Sequence, residues 1–311
     1  MPPRFACMGA ANWDHKLVTQ GELRPASSNP VSAWPSTPGG VARNLAENLV
    51  ALGADVALAC VLGDDPAGHA LHDHARRHGI DTRPVLFEPA QPTGSYTAVL
   101  NPQGGLEWAF SAMPGSQNPP PDFLPRAQAT LEAQGRGVAD LNLPQSWLQA
   151  LVDHAAQLHC PLALVAVSEA KMANLPQRLE GVALLVLNQG ELAALGDTPT
   201  SDGTLADLGT LEAVWATLHA RGLQHLLVTR GAEGAAYSDG PRLRMLPAPH
   251  LSRHAIADVT GAGDAFSAAA VWTLMGLQQP LAQACEAGIL AAMQVLTSRH
   301  SALPSSSHTG H

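Results

Sequence analysis

The run Asp258-Val-Thr-Gly-Ala-Gly-Asp264 combines a carboxylate with closely spaced glycines, a pattern suited to phosphoryl chemistry. Small and apolar residues follow it, which predicts a helix whose N-terminus lies at the glycines. Backbone N–H groups there are unpaired, and the glycines Gly261 and Gly263, with Ala262 between them, let anionic oxygens approach closely. Asp264 can then accept a proton from a hydroxyl group while the turn binds a phosphoryl group. The alternative is that Asp264 only caps the helix.

Two common nucleotide-binding patterns do not describe this run. It lacks the third glycine of the G-x-G-x-x-G dinucleotide fingerprint, and it lies too late in the chain to open a sheet. A Walker A sequence occurs nowhere in the chain, and neither does the G-x-S-x-G elbow of many hydrolases. The chemistry must therefore be positioned by a different arrangement of strands and helices.

The elements that would position the run alternate between strands and helices. Arg4–Met8 predicts a first strand, 41–52 a helix that ends at Gly53, 56–61 a strand and 67–78 a helix. Continuous apolar runs are typical of parallel strands that are buried on both faces, and three more occur later, at 162–167, 182–187 and 226–228. We therefore predict an α/β fold with a doubly wound, mainly parallel sheet and helices on both faces.

Two polar segments interrupt this alternation. Residues 20–38 are too polar for a core, and residues 95–100 and 106–111 alternate around a Gly-rich turn, which predicts a hairpin. We predict that the segments 12–38 and 93–112 form a small β lid on one body spanning 1–300. Residues 113–122 are expected to form a Pro-rich loop, and 301–311 a polar tail.

Composition limits the partners and the compartment. The net charge of −9 argues against a nucleic-acid partner, which requires a basic surface. No apolar run reaches the roughly 18 residues of a membrane span, and the N-terminus lacks a signal-peptide layout. The four cysteines lie among apolar residues and form no C-x-x-C pair, as expected for reduced thiols. We therefore expect a cytoplasmic protein without membrane or nucleic-acid partners.

Two signatures in the expected order make the chain resemble the ribokinase-like (PfkB-type) family of carbohydrate and nucleoside kinases. The first comprises Gly39-Gly40-Val-Ala-Arg-Asn44 and the nearby Gly63-Asp-Asp-Pro-Ala-Gly68, and the second is the run ending at Asp264. They lie about 220 residues apart, and the resemblance extends over about 5–297. It implies a ribokinase-like fold, ATP and Mg²⁺ as cofactors, and a homodimer formed through the lid.

The resemblance also implies roles for particular residues. Asp264 corresponds to the catalytic base and Gly261–Gly263 to the anion hole. The substrate-binding positions are Asn12 and Asp14, at the end of the first strand, and Gly39, Gly40 and Asn44. Without the family, Asn12 and Asp14 are equally well explained by an Asx-type turn.

A second group of residues corresponds to the nucleotide and metal side of the family's site. Asn188 and Glu191 correspond to an N-x-x-E motif that organises Mg²⁺, with Glu191 acting through water, and the same pair also fits a capping box. Thr229 and Gly231 correspond to the turn near the nucleotide. Asp258 and Thr260 lie where many relatives bind K⁺.

Within the family, the sequence is most similar to the pseudouridine kinases. Fragments that carry this similarity include Gly9-Ala-Ala-Asn-Trp-Asp14, Ser27-Ser-Asn-Pro30 and Val167-Ser-Glu-Ala-Lys-Met172. They add Ser28, Asn29 and Arg43 as candidate substrate contacts and Lys171 as a candidate phosphate contact. The implied reaction is phosphorylation of the 5′-hydroxyl of pseudouridine. Another sugar or nucleoside substrate, or a non-catalytic nucleoside-binding module, are the alternatives.

A cluster of histidines fits none of these roles. His69, His72, His74 and His78 lie on the predicted 67–78 helix, and the last two have the four-residue spacing of helical metal ligands. Because no cysteine joins them and no H-E-x-x-H motif is present, we interpret them as a solvated helix face.

Overall fold

A computed structural model describes residues 1–196, 208–252, 255–256, 259–298 and 302–304 of the chain. Its main feature is an eight-stranded sheet. The strands are β1 (Arg4–Met8), β5 (Asp55–Ala59), β10 (Gly137–Asp140), β11 (Leu162–Val165), β12 (Val182–Asn188), β13 (Leu226–Thr229), β14 (Ala235–Asp239) and β15 (Arg242–Leu246). Their order across the sheet is β15-β14-β13-β12-β11-β10-β1-β5. Neighbouring strands from β13 to β5 are parallel, and β14 and β15 add an antiparallel edge.

Helices cover both faces of this sheet. They are α1 (Val41–Ala51), α2 (Pro66–Arg77), α3 (Pro114–Gln117), α4 (Phe123–Gln134), α5 (Gln145–Leu158), α6 (Gln189–Ala193), α7 (Leu208–Ala220), α8 (Ala262–Val271) and α9 (Leu281–Leu296). A π-helical segment, Trp272–Gly276, continues α8, and 3₁₀ turns occupy Glu169–Asn174 and Gly231–Glu233. Within the described part of the chain, each helix is too short or too polar to cross a bilayer.

The two faces of β1 show how the sequence builds the core. Phe5 and Cys7 pack into the apolar cluster that contains α1, α8 and α9, whereas Ala6 and Met8 pack into the cluster that contains α4, α5 and α7. Alternate side chains of a strand point to opposite faces, so a strand covered on both sides is apolar at every position. The prediction of a mainly parallel sheet with helices on both faces is therefore confirmed.

A second sheet of five strands lies beside the carboxyl end of β1, and we call it the small sheet. Its strands are β2 (Asn12–Thr19), β3 (Val31–Ala33), β4 (Ser36–Gly39), β8 (Gly94–Leu100) and β9 (Leu106–Ala112). β2 pairs in parallel with β8 and antiparallel with β3 and β4. β9 pairs with the other side of β8 and ends the strand order, so it is an edge strand. A two-stranded ribbon of β6 (Val61–Gly63) and β7 (Leu86–Glu88) completes the fold.

The structure corrects three details of the sequence-based prediction. The strand predicted over 56–61 is divided, because β5 ends at Ala59 and β6 leaves the large sheet to pair with β7. Both halves are buried, so hydrophobicity alone does not reveal the bend. The 113–122 segment contains α3, which begins at a proline that fits the first turn of a helix. Asn12 and Asp14 lie at the start of β2 rather than at the end of β1.

Candidate active site

The carboxyl ends of the parallel strands bring the candidate residues to one edge of the large sheet. Asp140 ends β10, Asn188 ends β12 and Thr229 ends β13, while β1 leads at the same edge into β2. The chain passes from β1 to β5 on one side and later adds β10 on the other side of β1. Crevices that bind ligands in open α/β sheets form where the strand order reverses in this way.

Asp264 lies at this edge, in the first turn of α8. Gly261 precedes the helix in a left-handed conformation with φ of 82°, which a glycine adopts without strain. Asn44 Nδ2, on α1, donates a hydrogen bond to Asp264 Oδ2 at 2.6 Å. Burial raises the pKa of Asp264 to about 7, against the effect of this hydrogen bond, and the nearby carboxylates of Asp140 and Asp14 contribute to the rise. The carboxyl group is therefore half ionised near neutral pH.

The glycine pair before α1 allows three segments to approach closely. Gly40 has φ of 94°, and a Cβ there would overlap the backbone of Ala10 and Ala11. A Cβ on Gly39 would overlap the Asp14 carboxylate. Both glycines are thus needed for the approach of α1 and β4 to the loop after β1.

Arg43 holds this turn in place. Its side chain is buried, and it donates to the carbonyl oxygens of Gly39 and Pro38 at 2.9 and 3.0 Å. It also contacts the side chains of Asn44 and Glu47. The guanidinium group is engaged by the protein itself and holds the turn, and a direct contact of Arg43 with substrate stays a prediction.

Asn12 and Asp14 are brought together on one face of β2. Asn12 Nδ2 donates to Asp14 Oδ1 at 2.7 Å, and burial raises the pKa of Asp14 against the effects of Asn12 and Arg43. The charge of Asp14 also contributes to the raised pKa of Asp264, so the two carboxylates face a common crevice. An amide and a carboxylate side by side can donate to and accept from neighbouring hydroxyl groups.

Sequence reasoning did not identify Asp140 as a site residue. Its buried carboxylate accepts hydrogen bonds from the backbone N–H groups of Ala10, Ala42 and Asn142, at 2.9, 2.9 and 2.8 Å. Burial raises its pKa to about 6, opposed by these three bonds. Asp140 joins the loop after β1, the first turn of α1 and the end of β10. The sequence offered two signals: an acidic residue at the end of an apolar run, which is too common to be specific, and the fragment Asp140-Leu-Asn-Leu143, which is similar to the pseudouridine kinases but assigns no role to the carboxylate.

Asn188 and Glu191 form a complete capping box at the start of α6. Glu191 N–H donates to Asn188 Oδ1 at 2.9 Å, and Asn188 N–H donates to Glu191 Oε2 at 2.8 Å. Glu191 is buried, which raises its pKa, and the neighbouring Glu169 carboxylate adds to this effect. Oε1 of Glu191 is not part of the box, and the charge of Glu169 acts on the same carboxyl group, so hard oxygen donors are available at this end of β12.

Four other candidates lie along the same edge. Thr229 is paired with Asn188 in the sheet register, and Gly231 follows it at φ of 58°. Lys171 lies on the 3₁₀ turn after β11, where burial lowers its pKa and the charge of Asp140 acts in the opposite direction. Thr260 immediately precedes Gly261, whereas Asp258 lies outside the described residues.

Ser28 and Asn29 are not brought to this crevice within one chain. The register places Asn12 beside Gly39 and Gly94, whereas Thr19, at the other end of β2, pairs with Val31. Seven residues of strand separate the two ends of β2 by about 23 Å. Asn29 hydrogen-bonds Arg24 and Ser27 within its own loop. Together with Trp108 and Phe110, the loop lines a separate cavity of about 770 Å³.

Comparison with known proteins identifies the family. The family model for pfkB family carbohydrate kinases matches residues 3–308. A pseudouridine kinase of Escherichia coli is 30% identical over 261 residues, which is 84% of this chain and 80% of that protein. An uncharacterized sugar kinase of the same organism is 31% identical over 271 residues, or 86% and 71% of the two chains.

Solved structures agree on the fold. A ribokinase from Arabidopsis thaliana, complexed with ribose and ATP, superposes with a TM-score of 0.77 at 18% identity, over 96% of this chain and 94% of that one. Because the family model covers nearly the whole chain and includes the two glycine turns and Asp264, the chain belongs to the pfkB family of carbohydrate kinases.

Proposed function

We propose that the protein transfers the γ-phosphoryl group of ATP to the 5′-hydroxyl of a nucleoside, with pseudouridine as its substrate. The observation that carries the proposal is Asp264, a carboxylate with a pKa of about 7 in the first turn of a glycine-led helix. A general base works best when its pKa is close to the working pH, because it is then both ionised and basic.

In the proposed reaction, Asp264 removes the proton from the 5′-hydroxyl. The hydroxyl oxygen bonds to the γ-phosphorus while the bond to the β–γ bridging oxygen breaks, so that ADP leaves. N–H groups of Gly261, Ala262 and Gly263 bind the phosphoryl oxygens at the start of α8. Asn44 holds Asp264 in position through its 2.6 Å hydrogen bond.

The ribose is proposed to lie against β2. Asn12 and Asp14 would bind its 2′- and 3′-hydroxyls, and Gly39 and Gly40 leave room for the ring beside them. Support comes from the side-by-side arrangement of the amide and the carboxylate at 2.7 Å and from their burial beside Asp264. Arg43 and Asp140 would act through the backbone that they hold.

ATP and Mg²⁺ are proposed to bind on the β12–β13 side of the crevice. Mg²⁺ prefers oxygen ligands, and the Glu191 and Glu169 carboxylates supply them next to the turn with Thr229 and Gly231. Bound Mg²⁺ would neutralise phosphate charge during transfer. Lys171 would contact a phosphate, and a K⁺ ion near Asp258 and Thr260 completes the proposed set of cofactors.

Pseudouridine is proposed over other substrates because the subgroup fragments and the Escherichia coli relative agree. The test is a coupled ADP-release assay with pseudouridine, uridine, adenosine, guanosine, ribose and fructose as acceptors. We expect the highest kcat/KM with pseudouridine. A higher value with ribose or adenosine would overturn the substrate assignment alone, whereas binding without turnover of any acceptor would overturn the kinase proposal in favour of a binding module.

A homodimer through the small sheet is part of this proposal. β9 is an edge strand on which Trp108 and Phe110 lie on the same face, and Leu106, Trp108 and Phe110 are each about 60% exposed. An apolar edge of this kind invites association with another strand or sheet. A second copy of the chain would cover it.

A further inference from the structure

Two histidines of α2 and a glutamate of α1 converge beside the turn that Arg43 holds. One potential ligand atom from each of Glu47, His74 and His78 lies within 4.8 Å of the other two. The spacing of the histidines was visible in the sequence, but Glu47 lies 27 residues before His74 and joins them only through the packing of the fold. We call these three residues the Glu47 cluster.

The two imidazoles are arranged to offer lone pairs. His78 Nδ1 lies 2.9 Å from the carbonyl oxygen of His74, so this nitrogen carries a proton and Nε2 presents a lone pair. His78 Nε2 is 3.8 Å from Glu47 Oε1. The two rings are stacked, with their centroids 4.1 Å apart.

His74 contains a buried polar atom that the protein does not satisfy. Its Nδ1 atom is shielded from solvent and has no hydrogen-bond partner among the described residues. Such atoms are rare and often indicate an absent water or ion.

Glu47 can serve two partners at once. Its Oε2 atom contacts Arg43, while Oε1 faces His78. One carboxylate oxygen pairs with a buried guanidinium group, and the second oxygen remains directed at His78. His78 is 43% exposed in its side chain, so an ion can enter from solvent and keep a water ligand.

We propose that the Glu47 cluster binds a divalent transition-metal ion of the Zn²⁺ type, separate from the phosphoryl-transfer site. Two imidazoles and one carboxylate, with a water at the fourth position, are a frequent Zn²⁺ ligand set. A tetrahedral Zn²⁺ with bonds of about 2.0 Å holds its ligand atoms about 3.3 Å apart. The ligand atoms of the Glu47 cluster lie within 4.8 Å of one another, so side-chain rotations are enough to bring them to that distance. Mg²⁺ is excluded from this role by its preference for oxygen ligands.

The test uses the full chain after removal of metals by a chelator, without ATP or Mg²⁺. Zn²⁺ is titrated in competition with a chromophoric chelator, and Co²⁺ absorption reports the ligand geometry. We expect one tightly bound equivalent and a tetrahedral Co²⁺ spectrum. His78→Ala should weaken the affinity at least about 10-fold, and Glu47→Gln, which preserves the side-chain shape, should do the same.

The matched control is His69→Ala, which removes an exposed imidazole from the same helix but not from the cluster. Its Zn²⁺ affinity should equal that of the unaltered chain, and thermal melts verify that all variants are folded. Absence of stoichiometric binding, or equal losses in His69→Ala and His78→Ala, would overturn the proposal.

Discussion

Replacing Asp264 with Asn is the most direct test of the proposed chemistry. The substitution removes the basic oxygen but keeps the shape of the side chain. Asn44 Nδ2 can still donate to the remaining carbonyl oxygen, so the 2.6 Å contact that orients the group should persist. Binding of the nucleoside should therefore be almost unchanged, and the loss should fall on kcat.

The size of the effect follows from the raised pKa. With a pKa of about 7, the Asp264 carboxyl is about one-tenth ionised at pH 6 and about nine-tenths ionised at pH 8. In the unaltered enzyme kcat/KM should consequently rise about tenfold between these values. Removing a general base costs about 10²–10⁴-fold in rate, and the variant should lose this pH dependence as well.

The assay is coupled ADP release at saturating Mg·ATP, repeated across the pH range, with nucleoside affinity measured separately by calorimetry. Asp55→Asn is the matched control, because Asp55 is an exposed carboxylate at the start of β5, at the opposite edge of the sheet. Turnover of Asp264→Asn within about tenfold of the unaltered enzyme, or a flat profile for the unaltered enzyme between pH 6 and 8, would refute the reasoning.

The structure supports four further predictions. Asp264→Asn should raise the free energy of unfolding at pH 8 by at most about 4 kcal/mol, because the folded protein then buries an ionised carboxylate that the neutral amide replaces. Urea titrations should show this gain vanishing towards pH 4, where the carboxyl group is protonated in the folded state and increasingly so in the unfolded state. Gly39→Ala should raise the substrate KM at least about tenfold with little change in kcat, because the new Cβ displaces Asp14; unchanged KM contradicts this. Asn188→Ala should lower the free energy of unfolding by about 1 kcal/mol in chemical denaturation, because it removes the helix cap. An unchanged free energy of unfolding would show that the capping box does not stabilise the fold. Phe110→Glu should convert a dimer to a monomer in sedimentation velocity; the dimer proposal fails if the unaltered chain is already monomeric.

Local sequence signals were sufficient where one element determines the structure. β1 has the bounds predicted from its apolar run, and α1 ends at Ala51, one residue before the predicted end and two residues before Gly53. Asp264 was placed in the first turn of a helix because small residues follow the glycines. In each case, the pattern and the structure depend on neighbouring residues.

Sequence patterns did not predict the roles of residues whose contacts come from distant parts of the chain. The role of Asp140 depends on backbone N–H groups about 100 and 130 residues away, which no local pattern reveals. Ser28 and Asn29 were assigned by similarity to a subgroup, yet their loop lies at the far end of β2 from Asp14. If they contact substrate, the contact must come from another copy of the chain, because β2 is too long for its own loop to return.

The electrostatics of the crevice explain why Asp264 can be both buried and ionisable. Three carboxylates, Asp14, Asp140 and Asp264, share the site, and burial raises the pKa of each. The opposing charge comes from Arg43, which lowers the pKa values of Asp14 and Asp264 while its hydrogen bonds hold the glycine turn. Without this buried cation, both carboxyl groups would be protonated over a wider pH range, and the proposed base would be less ionised near neutral pH. The residue that holds the turn is thus also the one that keeps the pKa of the proposed base from rising further.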